Sequence, residues 1–106
     1  MTETTDRQYG RRAVEIGGIG RNVATNLRRL RDARNLSTRD LSALLAKAGR
    51  SIPASGITRI EKCERRVDVD DFAALASALN VEPSHLLADP ALLVIEVRIA
   101  SGGVDR

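Results

Sequence analysis

The sequence has few cysteines, aromatic residues and long apolar runs, and each shortage excludes a class of structure. Among 106 residues there is one cysteine and one histidine, so these side chains support neither an intrachain disulfide nor a metal cluster. Tryptophan is absent, and tyrosine and phenylalanine occur once each. A core built from Leu, Ile, Val and Ala favours short, closely packed helices over an aromatic-rich β-sandwich.

Membrane-spanning and exported classes are disfavoured as well. No apolar run approaches the ~20 residues that span a bilayer, and the N-terminus lacks the apolar core of a signal peptide. We therefore expect a cytoplasmic protein. The sequence also contains no phosphate-binding loop and no metal-ligand spacing, so we expect no cofactor, no metal and no small-molecule ligand.

Arginine is abundant, and the basic residues are concentrated in the first half of the chain. Residues 1–53 carry eleven basic and five acidic side chains, whereas residues 54–106 carry six and nine. Fifteen of the seventeen basic residues are arginine, whose guanidinium suits bidentate contact with phosphate or guanine. The asymmetry agrees with nucleic-acid binding, although solvated helix faces would also produce it.

Composition divides the chain into three regions. Residues 1–20 are polar and interrupted by glycines, which predicts a flexible N-terminal arm. Residues 21–89 show the helical periodicity of one small domain. In the C-terminal extension, residues 90–106, Ile95, Val97 and Ile99 alternate with charged residues. That alternation predicts a short β-strand.

Apolar spacing and capping residues predict five short helices, and therefore an all-α fold. Ser37 followed by Asp40, and Asp68 followed by Asp71, have the spacing of an N-cap with an acidic partner. Asn80 is placed to close the fourth helix. The expected helices are residues 21–34, 38–48, 53–62 and 69–79, followed by a single helical turn after Pro83.

Three stretches of these helices have residue types in the same order as a known protein family. They are residues 36–42 (LSTRDLS), residues 57–62 (ITRIEK), and residues 72–81 (FAALASALNV) followed by Leu86 and Leu87. The order resembles the phage-repressor-like (Cro/XRE-type) helix-turn-helix DNA-binding family, over residues 23 to about 88. The resemblance implies a five-helix lambda-repressor-like domain that binds double-stranded DNA and regulates transcription as a repressor, with helix 53–62 in the major groove.

The resemblance also assigns residues to the DNA interface. The positions that read base edges correspond to Ala54, Ser55, Thr58 and Arg59, and Arg59 suits a bidentate guanine contact. The positions that meet the DNA backbone correspond to Thr38, where the family most often has Gln, and to Arg65 and Arg66.

Two further features of the match concern the geometry of the third helix. Arg31 and Glu61 correspond to an ion pair that sets the angle of this helix, which makes them structural rather than DNA contacts. The turn between the second and third helices is longer than the family norm. Its Arg50 is expected either to reach a phosphate or to face water.

The sequence excludes one alternative to DNA binding and leaves another open. An enzyme built on Ser84, His85 and Asp89 is excluded, because these residues share one helical turn without an oxyanion hole or a Gly-rich elbow. An antitoxin or protein-interaction adaptor with the same fold stays open.

Residues 92–99 have three possible arrangements. We favour pairing with the same strand of a second subunit, which would make a homodimer. The other two are folding back on residues 14–16 and packing as coil against the fifth helix.

Overall fold

The computed structural model describes residues 14–91, and the regular structure within this range is helical. Five helices lie between residues 18 and 87: α1 (Gly18–Ala33), α2 (Thr38–Lys47), α3 (Ala54–Glu61), α4 (Val69–Leu79) and α5 (Pro83–Leu87). The expected all-α class is confirmed. The strand expected at residues 95–99 lies outside the described residues, as do residues 1–13 of the expected arm.

The helix bounds agree with the sequence-based expectation to within one residue, except at the start of α1. This helix begins at Gly18 rather than at residue 21. Glycines disfavour helix, but the side chain of Arg21 donates a hydrogen bond to the Ile16 carbonyl (2.7 Å), and the Arg21 N–H bonds the Gly17 carbonyl (3.0 Å). These contacts extend α1 into a glycine-rich segment whose composition alone predicts an arm.

Local contacts and left-handed residues set both ends of α2 and the end of α4. The Ser37 hydroxyl accepts from the Asp40 N–H (3.0 Å), and the Asp40 carboxylate accepts from the Ser37 N–H (2.9 Å). This reciprocal capping box begins α2, and the Ser37 N–H holds the pKa of Asp40 below its usual value. Gly49 follows α2 with φ 90°, and Asn80 closes α4 with φ 57°. Both are left-handed conformations typical of helix C-termini.

One apolar cluster holds the helices together and orients α3. α1 packs against α3, α4 and α5, and α2 packs against α3 and α4. Ile57 and Ile60 of α3 are buried in this cluster, whereas Arg59 between them is exposed. The core therefore decides which side of α3 faces solvent. Its buried members are Leu27, Leu41, Leu45, Ile52, Ile57, Ile60, Leu75, Ala76, Leu79 and Leu86.

A buried asparagine joins α1 to the end of α5. Asn26 is fully buried, and its Nδ2 donates to the carbonyls of His85 (3.0 Å), Leu86 (3.0 Å) and Ala88 (2.8 Å). Carbonyls in the last turn of a helix lack intrahelical partners. Because a five-residue helix is not stable alone, α5 depends on these bonds and on the burial of Leu86.

Replacing Asn26 by alanine should lower the free energy of unfolding by about 2–3 kcal/mol, because buried carbonyls lose their donor. Asn22→Ala is the matched control, since Asn22 makes one exposed hydrogen bond to the Leu87 carbonyl (3.0 Å). Its expected loss is below about 1 kcal/mol. Urea denaturation of both variants gives the comparison, and equal losses would contradict the role of Asn26.

Candidate nucleic-acid interface

The residues expected to read bases lie on the solvent side of α3. Ser55 and Arg59 are exposed, and Ala54 and Thr58 are half-buried. The Thr58 hydroxyl donates to the Ala54 carbonyl within the same helix (3.2 Å), so its proton is already used. Ser55 and Arg59 are therefore the two side chains of this set most available to an outside partner.

Gly56 of α3 is buried, although it follows the exposed Ser55. A Cβ added at this glycine would lie 2.5 Å from Nη1 of Arg65 and 3.2 Å from a methyl carbon of Ile52. Any larger residue would have to displace the Arg65 guanidinium. The missing side chain thus makes room for Arg65 to lie directly against α3.

A buried carboxylate, Asp71, joins α4 to the segments on both sides of α3. It is 3% exposed. Its Oδ1 accepts from Nε of Arg50 in the α2–α3 turn (2.8 Å), and its Oδ2 lies 3.5 Å from Nη2 of Arg65 in the α3–α4 loop. The hydrogen bond to Asp71 raises the pKa of Arg50. Arg50 also pairs with Asp68, the N-cap of α4, at 3.1 Å. We call these four side chains the Asp71 clamp.

Arg50 and Arg65 thereby have partners that the sequence does not indicate. Two carboxylates engage the guanidinium of Arg50, whose side chain is 37% exposed. Arg65 is 30% exposed and lies between Asp71 and Gly56. In this arrangement both arginines hold neighbouring segments in place.

Arg66 and Thr38 remain at the surface beside these segments. Arg66 is exposed, and its Nη2 makes a long hydrogen bond to the Glu15 carbonyl (3.3 Å). Thr38 is half-buried at the first position of α2. The next residue, Arg39, is exposed and is a further backbone candidate that matching to the family did not select. Its position in the first turn of α2, two residues after the N-cap Ser37, was the available signal.

The pair expected between Arg31 and Glu61 is formed, with bidentate geometry. Nε and Nη2 of Arg31 donate to the two Glu61 oxygens at 2.8 and 3.0 Å, and Nη1 donates to the Leu36 carbonyl (2.8 Å). The two side chains are 13% and 8% exposed. The hydrogen bond to Glu61 raises the pKa of Arg31. This contact ties the end of α3 to the end of α1.

Within residues 14–91 no helix has the length and apolarity needed to cross a membrane. In the same part of the chain, no group of three or more His, Cys, Asp and Glu side chains is arranged to hold a metal ion.

The pairing of α2 with a third helix that presents a polar side to solvent is the architecture of a helix-turn-helix DNA-binding domain. The family model described as "Helix-turn-helix domain" matches residues 23–88, more than half of the chain. The chain therefore belongs to this helix-turn-helix family of DNA-binding domains, and the phage-repressor-like resemblance is confirmed. Comparison with curated proteins and with solved structures gives no match.

Glu61→Ala should lower the free energy of unfolding by up to about 3 kcal/mol, because Arg31 would stay largely buried without its partner. A double-mutant cycle with Arg31→Ala should give a coupling of at least about 1 kcal/mol. The control cycle is Arg28 with Asp32, which lie 3.7 Å apart with side chains 69% and 60% exposed. Its coupling should stay below about 0.5 kcal/mol. Additive losses at Arg31 and Glu61 would contradict the structural role of the pair.

Proposed function

We propose that this protein is a sequence-specific transcriptional repressor that reads double-stranded DNA with α3 in the major groove. The observation that carries the proposal is that α3, in a chain of the helix-turn-helix family, presents polar side chains to solvent. There Ser55 and Arg59 are exposed while Arg31–Glu61 and the Asp71 clamp hold the surrounding segments.

Each proposed reading residue suits a different contact. The Arg59 guanidinium can donate to both O6 and N7 of guanine. Ser55 can make one hydrogen bond, and Ala54 can meet a thymine methyl group. Thr58 offers its methyl group, because its hydroxyl proton is directed to the Ala54 carbonyl. Specificity on this proposal depends mainly on Arg59.

Contacts to the DNA backbone are proposed for Arg66 and Thr38, with Arg39 beside Thr38. Each supplies a donor from a segment adjacent to α3, and phosphate contacts of this kind position a protein without reading sequence. Arg50 and Arg65 contribute through the Asp71 clamp, because their guanidinium groups already face carboxylates.

We further propose that the protein acts as a homodimer in the cytoplasm, without catalytic activity or a cofactor. One α3 reads a short half-site, and two-fold pairing would present two copies to successive major grooves ~34 Å apart. The strand-like composition of residues 92–99 supports pairing through the C-terminal extension. Bound at a promoter, such a dimer represses by excluding the polymerase.

Selection of bound sequences from random duplex DNA at low salt should return an inverted repeat with half-sites about one helical turn apart. Arg59→Ala should remove the preference at one position of each half-site and weaken specific binding by about 1–3 kcal/mol. Arg34→Ala, at an exposed position after α1, is the control and should leave the selected sequence unchanged.

Each contrary result removes a different part of the proposal. A single half-site would contradict the dimer. Equal weakening by Arg59→Ala on specific and random DNA would make Arg59 a phosphate contact. The absence of any enriched sequence would overturn sequence-specific reading and favour the protein-binding role.

The two loop arginines should differ in their effect on salt dependence. Arg66→Ala should lower the slope of log K against log salt concentration by about one, because one phosphate contact is lost. Arg65→Ala should leave the slope nearly unchanged and lower the melting temperature, because its guanidinium faces Asp71. Titration of random duplex DNA at several salt concentrations measures both slopes. Equal slope losses would place Arg65 in the interface with Arg66.

A further inference from the structure

An apolar groove lies between the start of α1, the α3–α4 loop, the start of α4 and the end of α5. It has a volume of about 430 Å³, and its apolar lining includes Ile16, Ile19, Val23, Val69, Phe72 and Leu87. Val69 is 78%, Ile19 60% and Leu87 40% exposed. Contiguous exposed apolar surface of this kind marks a site that another apolar group covers.

The chain itself supplies a candidate for that group. The described residues end at Ala91, four residues after Leu87 of the groove. Residues 92–99 follow directly with the sequence LLVIEVRI, of which six residues are apolar. A segment tethered this closely has a millimolar effective concentration at the groove. No separate molecule has that advantage.

The segment is long enough to return to the groove. Beyond Leu87 the chain runs along α1, where Arg29 donates to the Pro90 carbonyl (3.4 Å). Ile19 and Arg29 are ten positions apart on α1, which corresponds to about 15 Å. Eight extended residues span about 26 Å. A reversal after Ala91 therefore leaves enough chain to cover the groove.

We propose that residues 92–99 of the same chain lie in the apolar groove, with Ile95, Val97 and Ile99 against it. Successive side chains of an extended segment point to opposite sides, so Glu96 and Arg98 face solvent. The sequence left open that this segment folds back on residues 14–16 or packs against α5. Both arrangements would place it in the same groove, because Ile16 and Leu87 line that groove. The proposal does not rest on DNA binding, and it leaves one backbone edge of the segment free for a second copy.

Disulfide trapping in the full chain tests this placement. The background is Cys63→Asn, which removes the single cysteine. Asparagine suits this position because Cys63 has φ 61°. Val69→Cys is then combined with one further cysteine at each of positions 95 to 99. Because a disulfide needs Cβ atoms about 3.5–4.5 Å apart, we expect intrachain bonds at one or more of positions 95, 97 and 99, and none at 96 or 98.

The control replaces Val69→Cys by Leu44→Cys, an exposed apolar position of α2 outside the groove lining. It should give no bond with any position. Bonds that join position 69 of one chain to position 95, 97 or 99 of another would overturn the proposal and assign the groove to a second copy. Equal bonding at all five positions, or bonding at none, would overturn it as well.

A second measurement needs no cysteines. In the full chain, Val97→Asp should uncover the groove and raise the fluorescence of the apolar dye ANS, while Arg98→Asp should not. Helix content from circular dichroism shows that both variants are folded. Unchanged dye binding in a folded Val97→Asp variant would contradict the placement, whatever the outcome for DNA binding.

Discussion

An eight-residue helix cannot hold its own orientation, and the contact between Arg31 and Glu61 fixes α3 at its C-terminal end. Burial of Ile57 and Ile60 attracts α3 to the core, but apolar packing has little directional preference. The bidentate pair is directional, and both side chains are largely buried. A buried ion pair adds little net stability, because desolvation offsets its attraction. Its contribution here is the angle at which α3 is presented.

The other side of α3 is held through Asp71, which lies on a different helix. Arg50 attaches the α2–α3 turn to this carboxylate, and Arg65 attaches the α3–α4 loop while lying against Gly56. The α2–α3 turn is not loose, because Ile52 is 1% exposed and its carbonyl accepts from the Ser42 hydroxyl (2.6 Å). The turn thus has its own anchoring contacts.

These contacts divide the arginines around α3 into two groups with different chemistry. Arg31, Arg50 and Arg65 face carboxylates and hold segments in place. Arg59 and Arg66 present their charge at the surface. An acidic residue beside a DNA-binding helix would repel phosphate if it were unpaired, and the pairing of Glu61 and Asp71 with arginine removes that conflict.

The sequence by itself determined the helices, their ends apart from the start of α1, and the accessible side of α3, because periodicity and capping act between residues a few positions apart. Residues 69–79 and the left-handed Asn80 follow directly from such local signals. Arg31 with Glu61 was predictable only through the family resemblance. The partners of Arg50 and Asn26 were decided by tertiary structure, because those contacts join residues separated by 18 to 62 positions. No local pattern distinguishes an arginine that will meet a buried carboxylate from one that stays free for phosphate.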